Sequence, residues 1–357
     1  MTVAPRSLRL SVLDLVPVRD DQTSADAVAA SVSLAVRADE LGFERYWLAE
    51  HHNMPAIAAS SPPVMIAVIA SRTSRMKVGS GGVMLPNHSP LVVAEQFAAL
   101  EAAFPGRIDL GLGRAPGSDP VITALLRMSG TTSDVDSFPS NVSDIVSLVQ
   151  PDGATLRIGG GRDYTVAATP RATTIPEVWL LGSSDYSARL AAEMGLSYVF
   201  AHHFSGSGTE RALELYRSGF RPSETLSAPR TFLTVNAVVA DTAEEAQALA
   251  LPQLQQMARL RSGLPLTALP MVEDAAATEL APEHTTLLET MADTWVIGDP
   301  EAAARDIREL AVRFDVDEVM VSPVASARAG SDPGRSMTRE RTLELLATHV
   351  LSKGDQA

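Results

Sequence analysis

Eight short apolar segments alternate with helix-like segments along this chain of 357 residues, and this alternation constrains the fold more than any other feature. The predicted strands cover 8–15, 45–50, 76–85, 107–113, 178–181, 198–204, 230–240 and 318–321. Strands separated by helices are typical of parallel sheets with crossover connections. Open doubly wound sheets usually contain about five or six strands, so eight favour a closed (β/α)₈ barrel. We therefore predict an α/β fold with a single TIM barrel domain over 1–357.

Two stretches interrupt the alternation, and we expect both to be insertions over the C-terminal face of the barrel. Residues 130–176 are polar and rich in Gly, Thr and Ser, with one predicted helix at 141–149. Residues 262–294 are predicted to be irregular. Before the second stretch, Pro252 is expected to end or kink a helix that begins at a capping box formed by Thr242 and Glu245.

Composition excludes several classes of partner and chemistry. The net charge is −14, and the only lysines are Lys77 and Lys353, which disfavours nucleic acid and anionic membranes as partners. The absence of cysteine excludes disulfides, thiolate catalysis and cysteine metal sites. There is no signal peptide pattern and no apolar run of ~20 residues, so we expect a cytoplasmic protein.

Two histidine pairs end similar helix–Gly–strand units. Residues 38–43 precede a strand that ends in His51 and His52, and residues 192–196 precede a strand that ends in His202 and His203. In a barrel both pairs would lie at the C-terminal rim, where a histidine can act as a general acid or hydrogen-bond donor. Two alternatives remain at this point: rim histidines that only form hydrogen bonds, and a metal site that also uses Glu50. Metal-dependent barrel hydrolases usually carry His-x-His on the first strand, which here contains no histidine.

Glycines in the third and fourth strands leave backbone without side chains. Gly81 and Gly82 lie within the third strand, and Gly111 and Gly113 end the fourth. Such positions permit close approach of a flat ring, although a β-bulge without a ligand is the alternative. Gly111-x-Gly113 is not a dinucleotide fingerprint, because no third glycine follows at the required spacing.

A phosphate site is predicted from an arginine and three serines. Arg114 follows the fourth strand and suits an anion, unless it forms a rim salt bridge. Ser183, Ser184 and Ser187 surround a predicted helix start, where hydroxyl and amide groups can hold a phosphate or simply cap the helix. The two groups follow neighbouring strands in our count, so together they predict a monophosphate site.

These motifs, in this order, resemble the luciferase-like flavin monooxygenases, and most closely their group 1 branch. The similarity runs through 46–53, 79–88, 105–117, 179–188 and 198–204. The resemblance implies a (β/α)₈ barrel that binds reduced FMN or, in some branches, the deazaflavin F420. It implies that Gly81 and Gly82 contact the isoalloxazine through a cis peptide bond. The remaining implied cofactor-binding residues are Gly113, Arg114, Ser183, Ser184, Ser187 and His202.

The resemblance also implies a reaction, with His51 as the catalytic histidine. Reduced FMN would react with O₂ to give a C4a-hydroperoxide, and one oxygen atom would enter an organic, largely apolar substrate, as in hydroxylation or epoxidation of a natural product. The predicted substrate-lining residues are Trp47, Met54, Met84, His88 and Phe200. We expect a separate NAD(P)H:flavin reductase and a homodimer. The alternatives are a metal-dependent hydrolase, an F420-dependent oxidoreductase and a flavin-binding protein without catalysis.

Overall fold

A computed structural model describes residues 8–115, 120–127, 135–159, 162–264 and 266–351. Its strands are β1 Arg9–Asp14, β2 Arg45–Leu48, β3 Lys77–Ser80, β4 Val83–Met84, β5 Ile108–Gly113, β6 Ala154–Ile158, β7 Arg162–Val166, β8 Glu177–Gly182, β9 Ser197–Phe200, β10 Thr231–Val239, β11 Val296–Gly298 and β12 Glu318–Pro323. Its helices are α1 Ser24–Glu40, α2 Pro62–Ala70, α3 Pro90–Ala103, α4 Pro120–Arg127, α5 Phe138–Leu148, α6 Asp185–Met194, α7 His202–Ser205, α8 Thr209–Gly219, α9 Ala243–Arg261, α10 Val272–Ala277, α11 Pro282–Ala292, α12 Pro300–Arg313 and α13 Met337–Val350, with a 3₁₀ turn at Leu85–Asn87.

Eight parallel strands close into a barrel, which confirms the predicted fold class. Their order is β1, β2, β3, β5, β8, β9, β10 and β12, and β12 returns to pair with β1. The short β4 pairs with β5, and β11 pairs with the end of β10. Strands β5 and β8 are neighbours in register from Asp109 and Glu177 to Gly113 and Leu181. The prediction that Arg114 and the serine cluster follow adjacent strands is therefore confirmed.

The bottom of the barrel interior is filled by buried charges. Arg45 is fully buried and places Nη1 2.6 Å from Asp109 Oδ2 and Nε 2.6 Å from Glu318 Oε1. Trp47 Nε1 donates to the same Asp109 carboxylate at 2.9 Å. Because alternate residues of a strand point inward, Arg45 and Trp47 fill successive layers of the interior.

An aromatic layer lies above these charges. Its six buried members are Leu13, Trp47, Trp179, Val199, Phe232 and Met320. The rings of Trp47, Trp179 and Phe232 meet with centroids 5.0 to 5.6 Å apart. The strand residues that point outward pack against the surrounding helices and form the main hydrophobic core with them. The layer separates these buried charges from the C-terminal end of the barrel, so the polar groups at that end form a separate set.

The structure differs from several local predictions. Strand β9 ends at Phe200, and His202–Ser205 form the short helix α7 rather than the end of a strand. Pro252 lies inside α9, which continues to Arg261. The stretch 262–294 contains α10 and α11, and 130–176 contains α5 and the antiparallel hairpin of β6 and β7. Parts of the first stretch, together with Pro116 and Gly117, lie outside the described residues. No helix in the described ranges is both long and apolar enough to cross a membrane.

Candidate active site

A buried carboxylate at the end of β2 organises the barrel mouth. Glu50 is 1% exposed, and its Oε1 accepts hydrogen bonds from Nε2 of His52 at 2.8 Å and from Nε2 of His88 at 2.7 Å. Its other oxygen accepts from the backbone amide of Met84 at 2.9 Å. One side chain thus joins the end of β2 to β4 and to the segment that follows the 3₁₀ turn.

The protonation state of Glu50 follows from these contacts. Burial alone raises the pKa of a carboxyl group. Here the hydrogen bonds from His52 and His88, the charge of His88 and the amide of Met84 outweigh burial and lower the pKa of Glu50 to about 2. Glu50 is therefore an anion throughout the physiological pH range, and it holds both histidines with protons on Nε2.

The four rim histidines do not converge on one point. His52 bonds to Glu50, while His202 Nδ1 lies 2.7 Å from Thr209 Oγ1 and His203 Nδ1 lies 2.8 Å from Thr234 Oγ1. Among the residues that the structure describes, no group of three or more His, Cys, Asp or Glu side chains is arranged to hold a metal ion. These contacts do not favour the metal-dependent hydrolase.

His202 and His203 occupy different environments. The ring of His202 is 7% exposed and packs 5.3 Å from the ring of Phe314, outside the barrel and against the helical layer. His203 bonds to Thr234, which lies on the inner face of β10, and His51 is close enough for its charge to lower the pKa of His203. His203 therefore bonds to the inner face of the barrel, whereas the predicted His202 packs against the helical layer.

Close packing explains the two glycines between β3 and β4 but not Gly113 at the end of β5. A Cβ on Gly81 would lie 2.7 Å from Leu13 Cδ1, and one on Gly82 would lie 2.8 Å from the carbonyl oxygen of Gly111. The Gly81–Gly82 peptide bond is cis, as the resemblance implied. A Cβ on Gly113 would meet nothing closer than 3.7 Å, so packing does not require glycine there. The absence of a side chain at Gly113 is therefore not explained by packing.

The predicted phosphate residues lie together at the start of α6. Ser183 and Ser184 are exposed, and Ser184 occupies the N-cap position of this ten-residue helix without making a side-chain capping bond. The Arg114 guanidinium stacks 4.0 Å from the centre of the Tyr186 ring in the first turn of the helix. Ser187 is 3% exposed and donates to the Ser184 carbonyl oxygen at 3.3 Å, so it lies behind the other two serines.

The predicted substrate residues separate into two groups. Met54, Met84 and His88 are half-buried at the mouth. Trp47 is fully buried beneath Gly81, where it supports the floor rather than offering a surface to a substrate. Phe200 is 2% exposed and packs on the outer face of the barrel. The alternation of β9 explains this, because Val199 points inward and its neighbour must point outward.

Sequence reasoning missed two polar residues of β10. Thr234 and Asn236 share the inner face of the strand with Phe232, and Asn236 Nδ2 donates to the His203 carbonyl oxygen at 2.9 Å. Polar residues at alternate positions of an otherwise apolar strand were the available signal. They indicate inner positions near the open end of the barrel.

Comparison with known proteins identifies the family. The model for luciferase-like monooxygenases matches residues 8–317. An Escherichia coli K12 protein described as a luciferase-like monooxygenase is 39% identical over 319 residues, which cover 89% of this chain and 92% of that protein. The chain belongs to the luciferase-like monooxygenase family. As a member, it is a flavin-dependent monooxygenase.

Solved structures of the family share the whole fold. Apo-MsnO8 is 33% identical, has a TM-score of 0.83 and covers 97% of this chain and 99% of its own. The oxygenating constituent of 3,6-diketocamphane monooxygenase from the CAM plasmid of Pseudomonas putida, solved in complex with FMN, is 17% identical, with a TM-score of 0.68 and coverage of 97% and 99%. At 17% identity, the similarity to the Pseudomonas putida protein shows only that the two chains share a fold. F420-dependent enzymes that are 15% and 13% identical to this chain share the same fold.

We predict that Glu50→Gln lowers the free energy of unfolding at pH 7 by about 3 kcal/mol, measured by urea denaturation. The pKa of Glu50 falls from 4.5 to about 2 on folding, and each unit corresponds to about 1.4 kcal/mol. A carboxyl pKa that is lowered on folding stabilises the fold fully above pH 4.5. The difference in unfolding free energy between variant and wild type should therefore become smaller as the pH falls from 4.5 towards 2. The exposed Glu289→Gln on α11 is the control. Equal effects of the two substitutions would contradict the prediction.

Proposed function

We propose that this protein uses reduced FMN to insert one oxygen atom from O₂ into an organic, largely apolar substrate at the barrel mouth. The observation that carries the proposal is the uncapped start of α6, where the free hydroxyl of Ser184 lies in the same turn as the ring that stacks on Arg114. The substrate class and a role in natural-product tailoring rest on family analogy.

The residues at this helix start fit a phosphomonoester. Backbone amides and the helix dipole favour negative charge at an N-terminus, and α6 is long enough to provide both. Asp185 in the first turn is paired with Arg211 at 2.8 Å, which reduces its repulsion of an anion. The guanidinium of Arg114 is held by its stacking on Tyr186 and provides donors suited to phosphate oxygens.

The barrel mouth fits a flat ring next to backbone. The floor below Gly81 consists of Leu13 and Trp47, and no packing contact requires Gly113 to lack a side chain. When bound, reduced flavin supplies the electrons that activate O₂. The chain supplies an apolar floor that excludes water from below and His51 as a proton-bearing group at the end of β2. We also infer that a separate NAD(P)H:flavin reductase provides the reduced cofactor, because the sequence contains no dinucleotide fingerprint.

Arg114→Ala should weaken FMN binding by about 1.5–3 kcal/mol, which is the contribution of a hydrogen bond to a charged group. Riboflavin has no phosphate and should bind the variant and the wild type equally. Titration followed by flavin fluorescence measures both affinities. Arg305→Ala, at an exposed position of α12, is the control. If FMN binds the Arg114 variant as tightly as the wild type, the phosphate assignment is wrong.

His51→Ala should impair oxygen transfer more than cofactor binding. We expect reduced FMN affinity to stay within a few fold, because Arg114 and the serines hold the phosphate. Product formed per flavin oxidised should fall as H₂O₂ rises, and the rate should fall by about 10²–10⁴, the usual cost of losing a general acid. Pre-reduced FMN and a substrate that the wild type converts allow product and H₂O₂ to be measured together.

The choice of control for His51 follows from the structure. His52→Ala removes one partner of Glu50, so it tests the Glu50 cluster as well as the histidine itself. His349→Ala is a cleaner control, because His349 lies in the last turn of α13. If His51→Ala forms as much product per flavin oxidised as the wild type while His52→Ala forms less, the wrong histidine was chosen. If both variants form as much product per flavin oxidised as the wild type, the two histidines have only a structural role.

We further propose a homodimer through α2 and α3, which pack side by side. Val64 is 61% exposed on α2, and Leu91 and Val92 are 38% and 49% exposed on α3, so an apolar face is left on the surface. Sedimentation should give twice the 37.8 kDa mass of one chain. Val64→Glu should shift the protein towards the monomer, whereas Val312→Glu, at an 81% exposed position of α12, should not. A monomeric wild type at micromolar concentration would contradict this.

A further inference from the structure

The inner face of β10 holds His203 at two points. Thr234 and Asn236 lie above Phe232 on this face, because alternate strand residues point the same way. Thr234 Oγ1 lies 2.8 Å from His203 Nδ1, and Asn236 Nδ2 donates to the His203 carbonyl oxygen at 2.9 Å. Both the ring and the backbone of His203 are therefore fixed relative to the barrel.

The hydrogen bonds determine which nitrogen of His203 carries a proton. Thr234 Oγ1 donates to the carbonyl oxygen of Phe200 at 3.1 Å. A hydroxyl has one hydrogen, so when it is directed to Phe200 the oxygen of Thr234 accepts the bond from His203, and this arrangement assigns the proton of the ring to Nδ1. In a neutral ring, Nε2 then has a free lone pair and acts only as an acceptor.

The ring is neutral at physiological pH. Burial lowers the pKa of His203 to about 4, and the charges of His202 and His51 act in the same direction. The groups of β10 that face the ring, Thr234 and Asn236, carry no charge. Within the part of the chain that the structure describes, Nε2 of His203 has no protein hydrogen-bond partner. Nε2 of His203 is therefore a hydrogen-bond acceptor to which no donor among the described residues is bonded.

A flavin ring changes its hydrogen-bonding groups with its oxidation state. N5 of the oxidised isoalloxazine is an acceptor, whereas reduction places a hydrogen on N5 and makes it a donor. We propose that Nε2 of His203 accepts a hydrogen bond from this N–H, so that the site selects reduced over oxidised FMN. An acceptor facing an acceptor disfavours the oxidised form, because both groups then lose hydrogen bonds. The inference rests on the proposed function, since it requires FMN to bind at the mouth.

The first experiment tests the tautomer without cofactor. Nitrogen NMR of ¹⁵N-histidine-labelled protein should show His203 with a proton on Nδ1 and none on Nε2 from about pH 5 to 8. Thr234→Ser keeps the hydroxyl and should preserve this state. Thr234→Val removes the partner and should produce a mixture of tautomers. A proton on Nε2 in the wild type would overturn the proposal.

The second experiment measures the ratio of the dissociation constants of oxidised and reduced FMN by anaerobic titration. His203→Asn keeps a donor that can reach Thr234 but has no atom at the position of Nε2. We expect the preference for reduced FMN to fall about five- to tenfold in His203→Asn and in Thr234→Val, the effect of about one hydrogen bond. Thr234→Ser should stay within twofold of wild type, and His203→Gln, which can place an oxygen near the position of Nε2, should recover part of the preference.

The outcomes separate this inference from the proposed function. A wild type that binds neither form of FMN would refute the proposed function and this inference with it. A wild type that prefers reduced FMN, with the same ratio in a folded His203→Asn variant, would refute only the role of His203. Weaker substrate binding with an unchanged FMN ratio would assign Nε2 to the substrate and likewise overturn the proposal. Thr234→Val gives an independent answer if His203→Asn does not fold.

Discussion

The buried guanidinium of Arg45 determines where this barrel can have a site. It lies between two carboxylates, Asp109 and Glu318, that are themselves almost completely buried. Removing one partner of such a group leaves an unpaired charge in the interior, which typically costs about 3–5 kcal/mol. The aromatic layer separates this network from the C-terminal end of the barrel. The N-terminal end is thus occupied by fixed ion pairs, and the polar groups that remain for a site are those of the C-terminal end.

At that end, different elements contribute groups of different charge. The end of β2 supplies the anion Glu50, which binds two histidines and the backbone amide of Met84 in β4. Across β5 and β8, Arg114 and the start of α6 supply positive potential. Because the chain as a whole carries a net charge of −14, long-range attraction would contribute little to binding an anion at this helix start.

The strand count and the adjacency of β5 and β8 were predictable because they depend on the order of elements along the chain. The directions of side chains at strand ends were not, because they depend on register. The expected ligand contacts of Phe200 and His202 require these residues to point inward, whereas Val199 is the inward residue of β9 and the chain turns into α7 after Phe200. The apolar Phe204 continued the strand pattern, and periodicity cannot distinguish a short helix from a strand end. Helices α10 and α11 were missed in a stretch that contains Pro270 and Pro282, although Pro270 precedes the N-cap of α10 and Pro282 is the first residue of α11, where proline is well tolerated.

The mouth combines groups whose protonation is fixed with groups that can exchange protons. Glu50 is an anion because its hydrogen bonds lower its pKa to about 2, and His203 is neutral because burial lowers its pKa to about 4. Neither changes state between about pH 5 and 8, the range in which histidine ordinarily titrates. Fixed neighbours give any proton transfer at His51 a constant electrostatic setting, which is the form of preorganisation that stabilises charge without reorganisation. Glu50 is held from β4 and from the segment after the 3₁₀ turn, and His203 is held by two residues of β10, so the positions of both groups are fixed by strands of the barrel and by short connections.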